Sequence, residues 1–306
     1  MAGVAPQHQG WVLWAAAAGA LAVSSRCGGG AALQSGGCDE KQDPEGRRLS
    51  LREIEELALP QLAGFVREYY QYIAGEGHTI RRLLPSAFHN IVLTPRIMVD
   101  VHSVSTELTL FGQRLRSPIM VAPTTFHRLA HADGEAATAR GAAAAGCNYC
   151  YNVAYSTVGA AEVAAAAPAA TSPRWAHLYL FKDRAFVLWM VRLAERSGFA
   201  ALIVTCDHAH DRVRDMTMPA FDAGCGGPAR ADGRGPTVRD IMNFPNVEAY
   251  RAETDIPPSD RVGENDDALT WIDLRWLCEQ TRLPVVRTVA CSHCHLLYNY
   301  IQIYNI

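Results

Sequence analysis

The sequence predicts an α/β fold of the (β/α)8-barrel type, and three observations carry that expectation. From Pro118 onward, short apolar runs alternate with Ala-rich amphipathic stretches at intervals of about 28 residues, the signature of βα repetition and a parallel sheet. The runs are apolar on both faces, as strands covered on both sides must be. Residues able to do chemistry recur at the C-terminal end of successive runs, where barrel enzymes build their sites: Thr124 and Thr125, Asn152, Tyr179, Asp207 and His208. A doubly wound sheet would collect them at one switch point. Neither a G-x-G-x-x-G fingerprint nor a phosphate-binding P-loop occurs, so nucleotide readings lose their usual support.

Along the chain, Trp11 to Val23 is an apolar run too short to span a bilayer. Its small residues Ala20, Ala22 and Ser24 suit a signal peptide, although no Lys or Arg precedes it. Residues 1–47 are read as a disordered or signal-like extension, followed by the start of folded structure near Ser50. Ser50 and Glu53 have capping-box spacing and predict a helix over 50–59. A second helix is predicted from Ala63 to about Ala74, with Phe65, Tyr69, Tyr70 and Ile73 at helical spacing and Gly75 and Gly77 as stops.

Strands are predicted at 118–124, 148–153, 176–181, 201–207 and 284–290, and helices at 133–146, 159–167, 183–198 and 268–282. Residues 208–267 form a long insertion whose content spacing does not reveal, with Asp232 to Gly235 as a flexible turn. Barrels of this type take about 250 residues, and fewer than 200 follow Pro118, so only the first five βα units are expected. Open edges would then invite aggregation. The domain reading is therefore an extension over 1–47, an incomplete barrel over 48–290 and an atypical tail over 291–306.

Composition narrows the ligand class. With 28 Lys+Arg against 31 Asp+Glu and a net charge of −3, the chain lacks the basic excess that phosphate backbones select, so nucleic acid is not expected as a partner. No stable membrane span is expected either. Nine irregularly spaced cysteines do not form the even framework of a small secreted domain; a reduced, cytoplasmic or organellar compartment is favoured.

Several clusters have chemical readings. Asp207-His208-Ala209-His210-Asp211 has the H-x-H form of a hydrolase metal site, set against a plain polar βα-loop; no metal site is assigned. Cys147-x-x-Cys150 and Cys291-x-x-Cys294 are metal-spaced, but the first lies in a buried strand, where cysteine is ordinarily a small core residue. Cys291 to His295 satisfies the haem-attachment pattern without a cytochrome-like domain around it. Arg214, just past the fourth strand, can grip a carboxylate bidentately, or it is an ordinary surface arginine. Tyr69 and Tyr179 can donate to a substrate oxygen or pack with satisfied hydroxyls.

Taken together, "EYYQYIAGEGHT" (68–79), "LTPRIMVDV" (93–101), "SPIMVAPTTFHRLAHADGEAATARGAAAAG" (117–146), "HLYLFKDR" (177–184), "LIVTCD" (202–207) and "LTWIDLRWL" (269–277) resemble the FMN-dependent 2-hydroxy acid oxidase and dehydrogenase family. The resemblance covers about residues 50–287 and keeps the family's order. It implies a (β/α)8 barrel with FMN at the C-terminal strand ends. Pro123, Thr124 and Thr125 match the segment that lies against the flavin, and Thr205 matches a flavin-contacting threonine. Asn152 stands where a flavin-binding Ser is usual and His177 where Gln is usual; both can hydrogen-bond the ring. Tyr69 and Tyr179 match the substrate-contacting tyrosines, and Arg214 the carboxylate-binding arginine.

The implied reaction converts a small (S)-2-hydroxy acid to the 2-oxo acid, with oxygen or another acceptor reoxidising the flavin; a homo-oligomer is compatible with this. The family's fifth-strand Lys is replaced by Thr288, and Arg287, one residue earlier, should point to the opposite face. No Ser-Asn-His-Gly base motif and no Gly-rich phosphate segment follows. A catalytically inactive, C-terminally truncated member is therefore the alternative, and a metal-dependent barrel hydrolase the further one.

Overall fold

The computed structural model describes residues 49–71, 76–167, 173–206, 243–256, 262–288 and 302–303. Helix α1 (Leu51–Ala58) starts at the expected capping box, with Ser50 Oγ accepting from the Glu53 N–H and Glu53 Oε2 accepting from the Ser50 N–H at 2.7 Å. A 3-10 turn (Leu59–Gln61) leads into α2 (Gly64–Gln71). Its predicted last residues, 72–74, lie outside the described residues. A π-turn (Thr79–Leu83) runs into α3 (Leu84–His89), an element the spacing did not predict.

Next come β1 (Leu108–Leu110) and β2 (Gln113–Leu115), an antiparallel hairpin turned by Phe111 and Gly112, both at positive φ. Two consecutive left-handed residues match the twist of tight hairpins. The hairpin is too short to carry a visible alternation, so it escaped the sequence pattern.

The body is one sheet. β3 (Met120–Val121), β4 (Asn148–Asn152), β5 (Arg174–Tyr179), β6 (Leu202–Thr205) and β7 (Val285–Thr288) pair in chain order, all parallel, and β8 (Gln302–Ile303) adds antiparallel to β7. Among the described residues no pairing closes the sheet back onto β3. Four of the five predicted runs contain their strand, each shorter than predicted; β5 keeps the predicted length but starts and ends two residues earlier than the run 176–181. The first shrinks most because Pro118 and Pro123 bracket it and cannot donate to a ladder.

Between strands lie α4 (Gly134–Ala145), α5 (Ala160–Ala166) and α6 (Arg184–Arg196); α7 (Pro245–Thr254) and α8 (Trp271–Glu279) precede β7. Alanines let α4 approach the sheet closely, and seven of its residues are buried. Gly146 ends it in the left-handed conformation, φ 68°, which a glycine adopts without strain. Helix α7 lies inside the stretch that the sequence left unassigned.

The sheet's two faces differ. Tyr151, Val153, Leu178, Leu202, Val204 and Val285 face the helices in the main apolar core. Cys150, Trp175, Ile203 and Val286 face the other way, covered by Leu110, Phe111 and Met120. The β1–β2 hairpin thus plugs the inner face near the strands' N-terminal ends, with Phe111 and Trp175 rings 5.4 Å apart. The opposite, C-terminal end of that face carries the polar residues. No described helix is long and apolar enough to cross a membrane.

Candidate functional site

The residues singled out at the strand ends converge. Immediately after β3, Thr124 is buried and its Oγ1 bonds His127 Nε2. Its neighbour Thr125 shares a hydrogen bond with the Tyr69 hydroxyl, 2.8 Å away and 56 residues earlier. Helix α2 is therefore the element that carries Tyr69 over the end of β3. Tyr70, beside it, donates to the Phe126 carbonyl at 3.2 Å. Burial among apolar groups raises the Tyr70 phenol far above its ordinary range, so it stays a neutral donor.

Farther along the same edge, Asn152 ends β4 and pairs in register with His177 on β5. The Asn152 Oδ1 accepts from the Tyr155 N–H at 2.9 Å, which turns the chain sharply off the strand. One nitrogen of His177, Nε2, meets Thr205 Oγ1 at 2.7 Å across β5 and β6. The other, Nδ1, is buried with no hydrogen-bond partner. Burial depresses the imidazole's pKa from 6.5 to about 3, so His177 is neutral near pH 7. The Tyr179 ring stands edge-on to His177 at 4.9 Å and to Tyr155 at 5.6 Å.

Arg287 shows how register decides role. It pairs with Val204, a helix-facing position, and its guanidinium stacks over Trp271 at 4.5 Å. Its guanidinium thus lies against α8, on the face away from His177. Thr288, one residue on, is in register with Thr205.

Tyr155, Phe126 and Phe244 form an aromatic cluster beside Tyr69 and Tyr179 that the sequence left unmarked. Phe126 lies 5.6 Å from Phe244 and 6.2 Å from Tyr155, and the Tyr155 hydroxyl donates to the Gly263 carbonyl at 3.3 Å. No local spacing in the sequence flags them, because their contacts join segments far apart in the chain. Asp207, His208, His210, Arg214 and the Cys291–His295 pattern lie outside the described residues.

An imidazole, an amide and three threonine hydroxyls thus gather at the C-terminal ends of consecutive parallel strands, beside two tyrosines. The buried, unpaired His177 Nδ1 is an orphan of the kind that marks a ligand-facing group. Residues 58–289 match the family model of the FMN-dependent dehydrogenases. The chain belongs to this family.

A peroxisomal (S)-2-hydroxy-acid oxidase of Oryza sativa subsp. indica is 32% identical over 247 residues, covering 78% of this chain and 61% of that relative. Spinacia oleracea glycolate oxidase is 32% identical over 244 residues, with the same coverage. Among solved structures, mandelate oxidase with (S)-2-phenylpropionate superposes with a TM-score of 0.60 at 26% identity, over 79% of this chain and 62% of that one. The chain therefore spans about three fifths of the length of the curated relatives it matches. FMN is the family's cofactor, and the polar set described above suits the hydrogen-bonding edge of an isoalloxazine ring. Family membership displaces the metal-hydrolase reading.

Proposed function

We propose that this chain binds FMN at the C-terminal ends of β3 to β6 and belongs to an oxidoreductase that converts a small (S)-2-hydroxy acid to its 2-oxo acid. One observation carries the proposal: the Tyr69–Thr125 pair and the His177–Thr205 pair, with Tyr179 beside the latter, lie at the same end of the sheet. Five consecutive parallel strands support reading the sheet as the first five units of a (β/α)8 barrel, with residues 48–290 as the flavin domain. The rice relative's compartment, the peroxisome, supports an organellar setting.

In this reading Pro123, Thr124, Thr125, Asn152, His177 and Thr205 would hold the flavin, the last three through hydrogen bonds. The chemistry that bound FMN would supply there is acceptance of a hydride equivalent from a substrate α-carbon. Neutral His177 offers the flavin a donor or an acceptor without a charge. Tyr69 and Tyr179 orient the substrate's oxygens, and Arg214 pairs with its carboxylate, which turns binding into near-attack geometry. Oxygen or another acceptor completes turnover.

A second reading, a flavin-binding member without turnover, is favoured by a specific observation. The two described histidines in the site region are both buried and held by threonines: His177 by Thr205, and His127 by Thr124 and Thr138. Both ring nitrogens of His127 are engaged, and burial that lowers the His177 pKa to about 3 leaves its free Nδ1 a weak base; loss of a positioned base removes about 10²–10⁴-fold in rate.

An absorption spectrum of the purified chain after adding FMN and removing the excess decides between these readings when followed by anaerobic glycolate or L-lactate. Retained flavin that bleaches supports the oxidoreductase. Retained flavin that stays oxidised supports the inactive member. No retained flavin overturns both.

A further inference from the structure

We propose that His127 and Glu135 are positioning residues that hold the turn Pro123–Thr125 against the flavin by locking Phe126 in a strained backbone conformation. The proposal rests on the FMN-binding reading above. Phe126 has φ 61° and ψ 42°, a left-handed conformation in which the Cβ of an L-residue crowds its own backbone. Such a conformation persists only where the surroundings over-determine it, and it occurs preferentially at functional sites.

The surroundings do so here. The Phe126 N–H donates to the Tyr155 carbonyl at 3.2 Å, and its carbonyl accepts from the Tyr70 hydroxyl. The next N–H, of His127, donates to Glu135 Oε1 at 3.2 Å. The same oxygen accepts from the Thr157 N–H at 3.0 Å, and Oε2 accepts from the Thr157 hydroxyl at 2.7 Å. Glu135 is wholly buried, and these donors are backbone N–H groups and a hydroxyl. Its carboxylate therefore ties the loop after β3 to the loop after β4 from the first turn of α4.

The His127 ring completes the device. Its Nε2 meets Thr124 Oγ1, and its Nδ1 meets Thr138 Oγ1 on α4 at 3.0 Å. Burial holds its pKa below the ordinary value, so the ring is neutral, with one nitrogen donating and the other accepting. Two adjacent threonines are thereby fixed by independent partners, Thr124 by His127 and Thr125 by Tyr69. All of these contacts are made between the chain's own residues. Misplacement of such a segment by about 1 Å is enough to weaken function.

The test uses the full chain with His127→Ala, His127→Gln and Glu135→Gln, and Val163→Ala as a control cavity in the main core. Amide exchange across residues 120–130 is followed without flavin, and FMN affinity by quenching of flavin fluorescence. His127→Ala should speed exchange in that segment and weaken FMN binding, each by about tenfold. His127→Gln, whose amide can span both hydroxyls, should restore both to within about threefold, and Glu135→Gln should fall between. Val163→Ala should move neither.

Unchanged exchange in His127→Ala overturns the proposal, as does faster exchange with unchanged FMN affinity or a control that weakens FMN equally. Each of these leaves the FMN-binding reading standing. An unsubstituted chain that takes up no FMN overturns that reading and the proposal with it.

Discussion

His177 makes the fold acid-sensitive, and the size of the effect follows from its burial. The side chain is 2% exposed, and its pKa drops from 6.5 to about 3 on folding. Between those values the unfolded chain binds the proton and the folded chain does not, so stability rises with pH. The contribution is fully present above pH 6.5 and is lost as pH falls toward 3. From pH 7.5 to pH 5 the linkage relation gives a loss of about 2 kcal/mol, a large share of the 5–15 kcal/mol typical of a domain.

Urea unfolding of the flavin-free chain at a series of pH values, followed by tryptophan fluorescence, measures this loss. His177→Gln removes the titrating group while keeping a partner for Thr205, so the variant should lose about 2 kcal/mol less than the parent over the same interval. His127 shifts in the same direction by burial and remains in both proteins, so it cancels from the comparison. Equal losses in parent and variant would refute the reasoning, because they would mean that the imidazole is solvated and protonates freely in the folded chain.

Three further outcomes are expected. Arg287→Ala should lower unfolding stability by about 0.5–2 kcal/mol through the lost stack on Trp271 and leave FMN affinity unchanged; a tenfold weaker affinity in a fluorescence titration would contradict its placement on the helix face. Tyr69→Phe should cost only about 0.5–1.5 kcal/mol of stability in urea unfolding for the Thr125 hydrogen bond; on the oxidoreductase reading proposed above, it should also raise KM for glycolate in steady-state assays. Asn246→Ala should destabilise by about 2–4 kcal/mol in urea unfolding. Its amide donates to the Tyr151 hydroxyl and the Val153 carbonyl and accepts from the Ala160 N–H, all buried, so truncation orphans the start of α5.

Much of this architecture is written locally and could be read from the chain. The Ser50–Glu53 cap needs only four residues, and the apolar runs announce buried parallel strands because both faces of such strands must be covered. The motif around Pro123 to Gly146 was enough to suggest the family. That Arg287 cannot replace a residue at 288 follows from the two-residue period of a strand, and the stack on Trp271 shows where its charge goes.

Other features depend on contacts between distant segments, which no local pattern encodes. The hairpin over 108–115 owes its place to Phe111 packing on Trp175, and α7 is held by Asn246 reaching back to β4. Tyr69 reaches the end of β3 only when α2 folds over Thr125, and His177 acquires its neutral, half-satisfied state only from burial beside Thr205. Glu135 reads in the sequence as an ordinary acid in a helix's first turn. Tertiary structure makes it the acceptor that closes two loops, because a buried carboxylate must collect donors from wherever the fold brings them.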